Sequence, residues 1–434
     1  MMQKQCSLVF DVGKTNQKLF IFDANFKVLR REQLTLPKTV DEDGQPAEDL
    51  EAIVGWMKQS FERLLNEEEF EIDNVNFSSF GATLVHLDCN GIPLTPVYDY
   101  HKTISADAFN EFYKNYGPEP VFSSQTGSKN LNLLNSGKQL YWLKYHRKEF
   151  FRKIKWSLHL PQYLSYVFTG EKFTEYTSIG CHTDLWDYKK KGYHTWVIAE
   201  GIDQLFPKIS PTQTTVIKKY RGRKISFGIG IHDSSSALST YLLKEKSPFI
   251  LMSTGTWCIN FNPFSSHSLF DQKQIEAGAI VYMKTDGEPV LSSRLFLGEE
   301  YRLKVDQLTG YYSKPKRYPS GMNIDQEMVR RVYERSKNHF RWRYLDNRYA
   351  PKDDDLDFVN FENAYYQLVK ELVALLKKHL AIICKQLHQT IYVDGGFSDN
   401  KIFLFLLQKE FPKQKIEARA ASFACALGAA KIIN

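Results

Sequence analysis

An apolar strand that ends in a polar glycine turn and returns as a second apolar strand occurs twice in this 434-residue chain. The first copy, at residues 7–23, reads SLVFDVGKTNQKLFIFD, and the second, at residues 249–262, reads FILMSTGTWCINFN. Both fit β-hairpins, because apolar, β-branched and aromatic residues flank a short run of turn residues. We interpret the pair as a weak internal repeat, which predicts an N-terminal domain over 1–245 and a C-terminal domain over 246–434.

Helical segments alternate with these strands. Residues 47–68 carry apolar side chains at helical spacing behind acidic residues that suit a helix start. The segment LPQYLSYVFTGEK predicts a helix that closes at Gly170, residues 105–225 have a mostly helical pattern, and residues 360–388 form a long helical stretch. The Asn-Gly pair at 90–91 predicts a tight hairpin turn. Strands alternating with helices indicate the α/β class.

The composition is that of an ordinary globular protein with a mild positive charge. Lys and Arg number 57 against 50 Asp and Glu, a net charge of +7, which suits an anionic small molecule as well as a nucleic acid. The basic clusters at 144–155, 189–191 and 218–224 are interpreted as solvated surface charge, so no nucleic-acid partner is expected. Six scattered cysteines without a C-x-x-C pair, and no long apolar run, predict a reduced, cytoplasmic protein without a membrane partner.

The tripeptide Gly-Lys-Thr at 13–15 resembles part of a P-loop, but the rest of that motif is absent. The pattern needs a glycine where Leu8 stands, and a strand rather than a helix follows the turn. A hairpin remains, whose backbone N–H groups could surround a phosphate, with Lys14 or Lys18 as the cation and Asp11 available for a hydrated Mg²⁺. An ordinary hairpin turn is the alternative.

Three further polar loops follow apolar strands, where α/β proteins place ligand-binding groups. Ser-Thr-Gly-Thr at 253–256 offers hydroxyls and N–H donors, or is a structural turn. Asp-Gly-Gly-Phe-Ser-Asp-Asn at 394–400 lets a ligand approach the backbone, or serves as a helix cap. In Gly-x-x-Asp at 230–233, Asp233 is either a helix N-cap or a general base facing a cleft. No G-x-S-x-G elbow accompanies the serines after Asp233, which argues against a hydrolase.

The order of the four loops resembles the FGGY family of carbohydrate kinases. The resemblance covers essentially the whole chain and implies a two-domain α/β architecture of the actin-like ATPase (ribonuclease H-like) fold, with a cleft between the domains. It also implies that the two hairpins hold the phosphates of ATP, that the Gly-Gly loop contacts adenosine, and that Mg²⁺ accompanies the nucleotide. By position these roles fall to Asp11 for Mg²⁺, Asp233 for the base, and Gly13, Lys14, Thr15, Asn16, Lys18, Thr254, Gly255, Thr256, Gly395, Gly396 and Asn400 for ATP.

Within the family the chain most resembles the rhamnulokinases, which phosphorylate L-rhamnulose. The segments Phe-Gly-Ala-Thr at 80–83, Tyr-Asp-Tyr-His-Lys-Thr at 98–103 and Ile-His-Asp-Ser-Ser-Ser-Ala at 231–237 take the places of that branch's sugar-binding and catalytic segments. Two departures stand out: Thr83 replaces an Asp, and the arginines of the second segment are replaced. The sugar contacts implied by the resemblance are Phe80, Thr83, Tyr98, Asp99, Lys102 and His232.

The expected activity is therefore ATP-dependent transfer of a phosphoryl group to the primary hydroxyl of a ketose, with L-rhamnulose 1-phosphate as the first expected product. L-Fuculose, D-xylulose, L-ribulose and polyols are alternative acceptors. A sugar or nucleotide sensor of the same fold, without catalysis, is the alternative function. The sequence leaves the oligomeric state open, a homodimer included.

Overall fold

The computed structural model describes residues 4–265, 271–345, 347–348, 350–384, 390–419 and 423–434. Helices and strands alternate along most of this length. The strands are β1 (Lys4–Val12), β2 (Gln17–Asp23), β3 (Val28–Leu34), β4 (Lys38–Val40), β5 (Pro46–Glu48), β6 (Phe70–Ser79), β7 (Leu84–Leu87), β8 (Pro93–Leu94), β9 (Val97–Tyr98), β10 (Trp156–His159), β11 (Thr174–Glu175), β12 (Trp186–Asp187), β13 (Gly192–Tyr193), β14 (Ile209–Ser210), β15 (Thr215–Tyr220), β16 (Arg223–Gly228), β17 (Ile231–His232), β18 (Phe249–Thr254), β19 (Cys258–Asn262), β20 (Ala279–Met283), β21 (Pro289–Leu295), β22 (Thr390–Gly395) and β23 (Lys415–Arg419). The α-helices are α1 (Leu50–Leu65), α2 (Asn110–Tyr116), α3 (Glu119–Thr126), α4 (Ser136–His146), α5 (Lys148–Phe151), α6 (Leu160–Thr169), α7 (Tyr176–Ile179), α8 (Thr195–Ala199), α9 (Asp233–Leu242), α10 (Gln272–Ala277), α11 (Leu297–Tyr311), α12 (Gln326–Glu334), α13 (Phe361–Ile383), α14 (Lys401–Glu410) and α15 (Ala424–Ile432).

The two large sheets have similar strand topologies. The first has the order β15-β16-β6-β1-β2-β3, with β17 also paired to β6, and the second has the order β20-β21-β19-β18-β22-β23. In each sheet a central strand, β1 or β18, pairs antiparallel with the next strand and parallel with a later one, β6 or β22. The internal repeat predicted from the two hairpins is therefore confirmed. We propose that the domains divide after residue 245, in the connection between α9 and β18.

The predicted helix at 47–68 is confirmed as α1. The Asp49 carboxylate caps its N-terminus by accepting from the backbone N–H of Ala52 at 2.9 Å. Its apolar stripe, which includes Ile53 and Phe61, packs into one core with β1 and β6. The predicted Gly170 cap is also confirmed, since α6 ends at Thr169 and Gly170 follows at φ 71° in the left-handed region.

The segment 215–228 differs from the helical pattern expected up to residue 225. It forms the antiparallel hairpin β15–β16 at the edge of the first sheet, with its turn at Arg221 and Gly222. Both turn residues have positive φ, which a helix does not permit. Exposed and half-buried side chains alternate along β15, as expected of an edge strand, and Lys219 lies on the exposed face.

The last helix packs against the opposite half of the molecule. Helix α15 contacts α9, β1 and β6, and its small residues lie against apolar side chains of the first sheet, among them Val9, Phe20 and Phe22. The side-chain amide of Asn76 on β6 donates to the carbonyl of Ala429 at 2.7 Å. The small residues of this helix permit close packing: a Cβ added at Gly428 would lie 1.9 Å from the carbonyl oxygen of Ser236 on α9.

No helix within the described ranges is both long and apolar enough to span a membrane.

Candidate active site

The first hairpin turn closes on its own backbone. The N–H of Gly13 donates to the carbonyl of Asn16 at 3.0 Å, and the Gln17 side-chain amide donates to the carbonyl of Gly13 at 3.2 Å. Thr15 is exposed at the tip, while the side-chain oxygen of Asn16 accepts from Thr35 at 3.1 Å. A turn held in this way presents its tip at the end of β1, beside the carboxylate of Asp11.

Asp11 and Asp233 line one cleft between the two sheets, and the positively charged Lys18 lines it as well. The Lys18 ammonium lies 3.8 Å from the Asp11 carboxylate. Burial raises the pKa of Asp11 to about 6; the charge of Lys18 opposes the rise, and the charge of Asp233 adds to it. Burial likewise raises the pKa of Asp233 to about 6. Two carboxylates with raised pKa values in one cleft are typical of catalytic sites.

Asp233 opens α9 in a defined setting. Its carboxylate accepts from the backbone N–H of Ser234 at 2.5 Å, and the imidazole of His232 accepts from the N–H of Ser235 through Nδ1 at 3.5 Å. Burial lowers the pKa of His232 to about 3, so the ring is neutral at pH 7 and carries its proton on Nε2. That Nε2 lies 3.4 Å from the Asp233 carboxylate and 3.1 Å from the thiol of Cys181. The helix N-cap, one of the two roles that the sequence left open for Asp233, is thus His232, and the Asp233 carboxylate faces the cleft.

The second hairpin and the Gly-Gly loop interlock. Strand β18 runs parallel to β22 with Thr254 paired to Gly395, and the N–H of Gly396 donates to the carbonyl of Thr254 at 2.6 Å. Gly395 has φ 86°, and a Cβ there would lie 2.0 Å from that same carbonyl oxygen. Only glycine permits this approach. The exposed Gly255 and Thr256 therefore project from a rigid base at the ends of two parallel strands.

Beside this base lies a mostly apolar cavity of about 350 Å³, lined by the Gly-Gly loop and by α11. Asn400 caps α14 through its side-chain oxygen and donates its amide to the hydroxyl of Tyr365 at 2.8 Å. The ring of Tyr301 packs edge-on against Phe397 at 4.9 Å between centroids. Gly298 lets α11 approach the hairpin, since a Cβ there would lie 2.0 Å from the carbonyl oxygen of Gly255. Aromatic rings beside polar side chains suit a flat heterocycle such as a nucleobase.

Lys14 turns away from the hairpin tip toward the N-terminal half of the cleft. Its ammonium lies 2.7 Å from the carboxylate of Asp99, pairs with Glu48, and sits 4.2 Å from the ring centroid of Tyr100. Burial raises the pKa of Asp99, but the hydrogen bonds of His101 and the charge of Lys14 outweigh it, so that the pKa lies well below its usual range. Lys14 is thereby committed to two acidic partners, whereas Lys18 is the cation beside Asp11.

Among the expected sugar contacts, the structure brings Phe80 and His232 to the cleft and places Asp99 behind Lys14. Lys102 lies elsewhere, in a buried ion pair with Asp41 at 2.6 Å. The buried Tyr98 donates its hydroxyl to Glu42 at 2.6 Å, and the side chain of Thr83 is fully enclosed. Within the described residues, these last three side chains do not line the cleft.

The sequence of the N-terminal half decides the family. A profile described as the N-terminal domain of the FGGY family of carbohydrate kinases matches residues 6–232, more than half of the chain. The chain belongs to this family.

Individual relatives are distant. A rhamnulokinase of Halalkalibacterium halodurans is 24% identical over 262 residues, which are 58% of this chain and 55% of that protein. The chain thus aligns with little more than half the length of the curated relatives it matches. Among solved structures, a carbohydrate kinase from Novosphingobium aromaticivorans has a TM-score of 0.80 at 20% identity over 100% of this chain and 92% of the other. A xylulose kinase from Lactobacillus acidophilus has a TM-score of 0.76 at 15% identity over 99% of this chain and 89% of the other. These likenesses confirm the predicted actin-like α/β fold.

Sequence reasoning missed several cleft residues of this family member, chiefly Arg294 on β21, Tyr282 on β20 and Tyr100. Tyr100 lies inside the segment 98–103 that was assigned to sugar binding, whereas Arg294 and Tyr282 belong to no recognisable motif. The one available signal was an arginine within the otherwise apolar and small-residue segment PVLSSRLFL. A charged residue inside a strand of a buried sheet needs either a partner or a function.

Proposed function

We propose that this chain transfers the γ-phosphoryl group of ATP to a primary hydroxyl of a small polyhydroxy acceptor. One observation carries the proposal: the carboxylate of Asp233, with its pKa raised to about 6, faces the same cleft as the two glycine hairpins. A carboxylate in that position can orient a hydroxyl and accept its proton. Membership of a carbohydrate kinase family supports the same reaction.

The nucleotide and the acceptor occupy different parts of the cleft in this proposal. The adenosine lies in the apolar cavity between Asn400 and Gly298, and the phosphates pass Gly255 and Thr256, which line both this cavity and the cleft, toward the first hairpin. The acceptor lies against Phe80, Gly81 and His232, next to Asp233. Two domains that meet on such a cleft can align the reactants and exclude water, which provides much of the rate enhancement in phosphoryl transfer.

The chemical step is a direct displacement. The acceptor hydroxyl oxygen forms a bond to the γ-phosphorus, the bond from that phosphorus to the β,γ-bridging oxygen breaks, and ADP leaves. The proton of the hydroxyl passes to Asp233. The backbone N–H and the hydroxyl of Ser234 donate to that carboxylate and hold its orientation, and His232 Nε2 lies 3.4 Å from it.

The residues present fit a magnesium ion. The charge of Asp233 raises the pKa of Asp11 in the cleft, and Lys18 is the nearby cation. Within the described residues no group of three His, Cys, Asp or Glu side chains could hold a metal. This suits Mg²⁺, which kinases hold with one or two carboxylates and the substrate's own phosphates. When bound, Mg²⁺ neutralises the charge on the phosphate oxygens, and Asp11 is the residue that would hold it, through water.

Among neutral acceptors we propose L-rhamnulose first, converted to L-rhamnulose 1-phosphate. The support is the likeness to two proteins named rhamnulokinase, at 24% and 22% identity, together with Phe80 and His232 in the cleft. L-Fuculose, D-xylulose, L-ribulose and glycerol are the alternatives.

The proposal is tested by measuring ADP release from Mg·ATP with each of these five acceptors, with a no-acceptor reaction as the background. We expect at least one acceptor to raise ADP release well above the background, and the phosphorylated product to be detected by mass spectrometry. If no acceptor does so while binding of ATP is intact, the kinase proposal fails and a nucleotide-binding sensor becomes the better account.

The two lysines of the first hairpin are expected to have different roles, Lys18 in binding ATP and Lys14 in stabilising the fold. Lys18→Met should raise the KM for ATP about tenfold, because it removes the cation beside Asp11 at the phosphate end of the cleft. Lys14→Met should leave that KM within about twofold and lower the free energy of unfolding by about 2 kcal/mol, because Asp99 loses its ammonium partner while Glu48 keeps Lys38. Steady-state kinetics and denaturant unfolding of the two variants test this. A larger effect of Lys14→Met on the KM for ATP would reverse the assignment.

A further inference from the structure

Arg294 extends from β21 into the cleft. It lies opposite Ile259 of β19 in the second sheet, and both side chains reach the cleft wall. The guanidinium stacks on the ring of Trp257, with its carbon 4.9 Å from the ring centroid. Trp257 is held in turn by Phe296, at 4.5 Å between ring centroids. Arg294 is therefore braced by an aromatic platform instead of extending into solvent.

Within the described residues, the guanidinium of Arg294 has no acidic partner. Lys14 pairs with Asp99 and Glu48, and Lys18 with Asp11, so the other cations of the cleft have theirs. The charge of Arg294 affects the pKa values of several neighbouring groups, among them Tyr282 and Tyr100. These groups are uncharged at pH 7. A desolvated cation without a counter-ion is costly, and proteins retain one where a ligand supplies the negative charge.

Arg294 lies on the wall of the cleft that the second sheet contributes, together with Ile259 and Tyr282. Lys18, beside Asp11, lies on the wall that the first sheet contributes. An acceptor that reaches from Asp233 toward Arg294 would present its other end to the guanidinium.

We propose that the acceptor preferred by this chain is a sugar acid, whose carboxylate binds Arg294 while its primary hydroxyl faces Asp233. The inference rests on the proposed kinase function and specifies its substrate class. A planar guanidinium held on an aromatic ring presents two parallel N–H donors to a carboxylate, a geometry that a neutral sugar does not exploit. The paired lysines leave Arg294 as the cleft's free determinant of acceptor charge within the described residues.

The test compares matched acceptors that differ only in charge. Five- and six-carbon aldonates, D-gluconate among them, are each paired with the polyol that carries CH₂OH in place of the carboxylate. ADP release and calorimetric binding are measured for both members of every pair. We expect one or more aldonates to bind at least about 100-fold more tightly than the matched polyol, since a bidentate, charge-assisted pair is lost in the polyol. If no aldonate binds more tightly than its polyol, the proposal is overturned.

Variants at position 294 give a second readout. Arg294→Gln should weaken aldonate binding about 100-fold and change polyol binding less than about threefold, with Arg294→Lys between Gln and wild type. Arg330→Gln, an exposed arginine on α12 paired with Glu327, is the matched control and should change neither. Equal losses for aldonate and polyol, or a raised KM for ATP, would instead assign Arg294 to the phosphoryl group. Thermal unfolding of Arg294→Lys shows whether the fold persists.

The kinase proposal and this inference fail in different ways. Turnover of a polyol or ketose with no preference for acids overturns the inference and leaves the kinase. Tight, Arg294-dependent binding of an aldonate without ADP release overturns the kinase and leaves an acid-binding cleft.

Discussion

Asp233→Asn is expected to reduce turnover at least about 10³-fold, because the amide cannot accept the proton of the attacking hydroxyl. Binding of ATP should remain within about threefold of wild type, since the base does not touch the nucleotide in the proposed arrangement. Calorimetric titration of ATP and single-turnover formation of product measure the two effects separately. The matched control is Asp73→Asn, on β6 away from the cleft, where burial also raises the pKa of the carboxyl.

The same residue predicts the pH dependence of the wild-type enzyme. Asp233 must be ionised to accept the proton, and burial raises its pKa to about 6. The value of kcat/KM should therefore fall about tenfold per pH unit below pH 6 and level off above pH 7. Asp11 has a similar pKa, so the Asp11→Asn variant identifies the group: the acid limb should persist in it if Asp233 is the base. Turnover of Asp233→Asn near that of wild type would remove this residue from the base role.

Gly428→Val is expected to lower the free energy of unfolding by about 3 kcal/mol, because the added atoms cannot fit between α15 and α9. A Cβ at this position would already lie 1.9 Å from the carbonyl oxygen of Ser236, a backbone atom that cannot rotate away. The helices must separate, and α9 begins with Asp233, so turnover should fall as well. Denaturant unfolding and steady-state kinetics of the same preparation measure both.

Gly55→Ala is the matched control for that substitution. Gly55 lies within α1, and nothing lies within 4 Å of a Cβ added there. Its replacement should raise the free energy of unfolding by up to about 1 kcal/mol, because alanine favours the helix. An unchanged unfolding midpoint for Gly428→Val would mean that the two helices can separate without cost.

Local patterns predicted those parts of the fold and site that are built from neighbouring residues. The prediction that residues 13–15 are not a P-loop is confirmed, because the residues after the turn have the alternating pattern of a strand and form the β1–β2 hairpin. Helix α1 and the Gly170 cap followed from apolar spacing and from the permissive backbone of glycine. Asp233 could be predicted because it comes directly after a strand. That strand, β17, pairs with the end of β6, and this position in the sheet brings Asp233 to the cleft.

Partners that are distant in the chain could not be predicted in this way. Lys102 lies in a motif-like segment, yet Asp41 and Asp43 hold its ammonium, about sixty residues earlier in the chain. Lys14 was expected at the phosphates and instead pairs with Asp99. Arg294 had no motif at all. Side-chain pairing across the fold decides each of these cases, and hydrophobic periodicity carries no information about it.

The position of α15 bears on how the protein is made. Its alanines cover Val9, Phe20 and Phe22 of the first sheet, although more than 400 residues of chain separate the two partners. During translation the strands of that sheet therefore emerge long before the helix that shields them, and their apolar surface stays uncovered until α15 has been synthesised. A half-length product would keep that surface open, which makes the nascent chain a candidate client for chaperones.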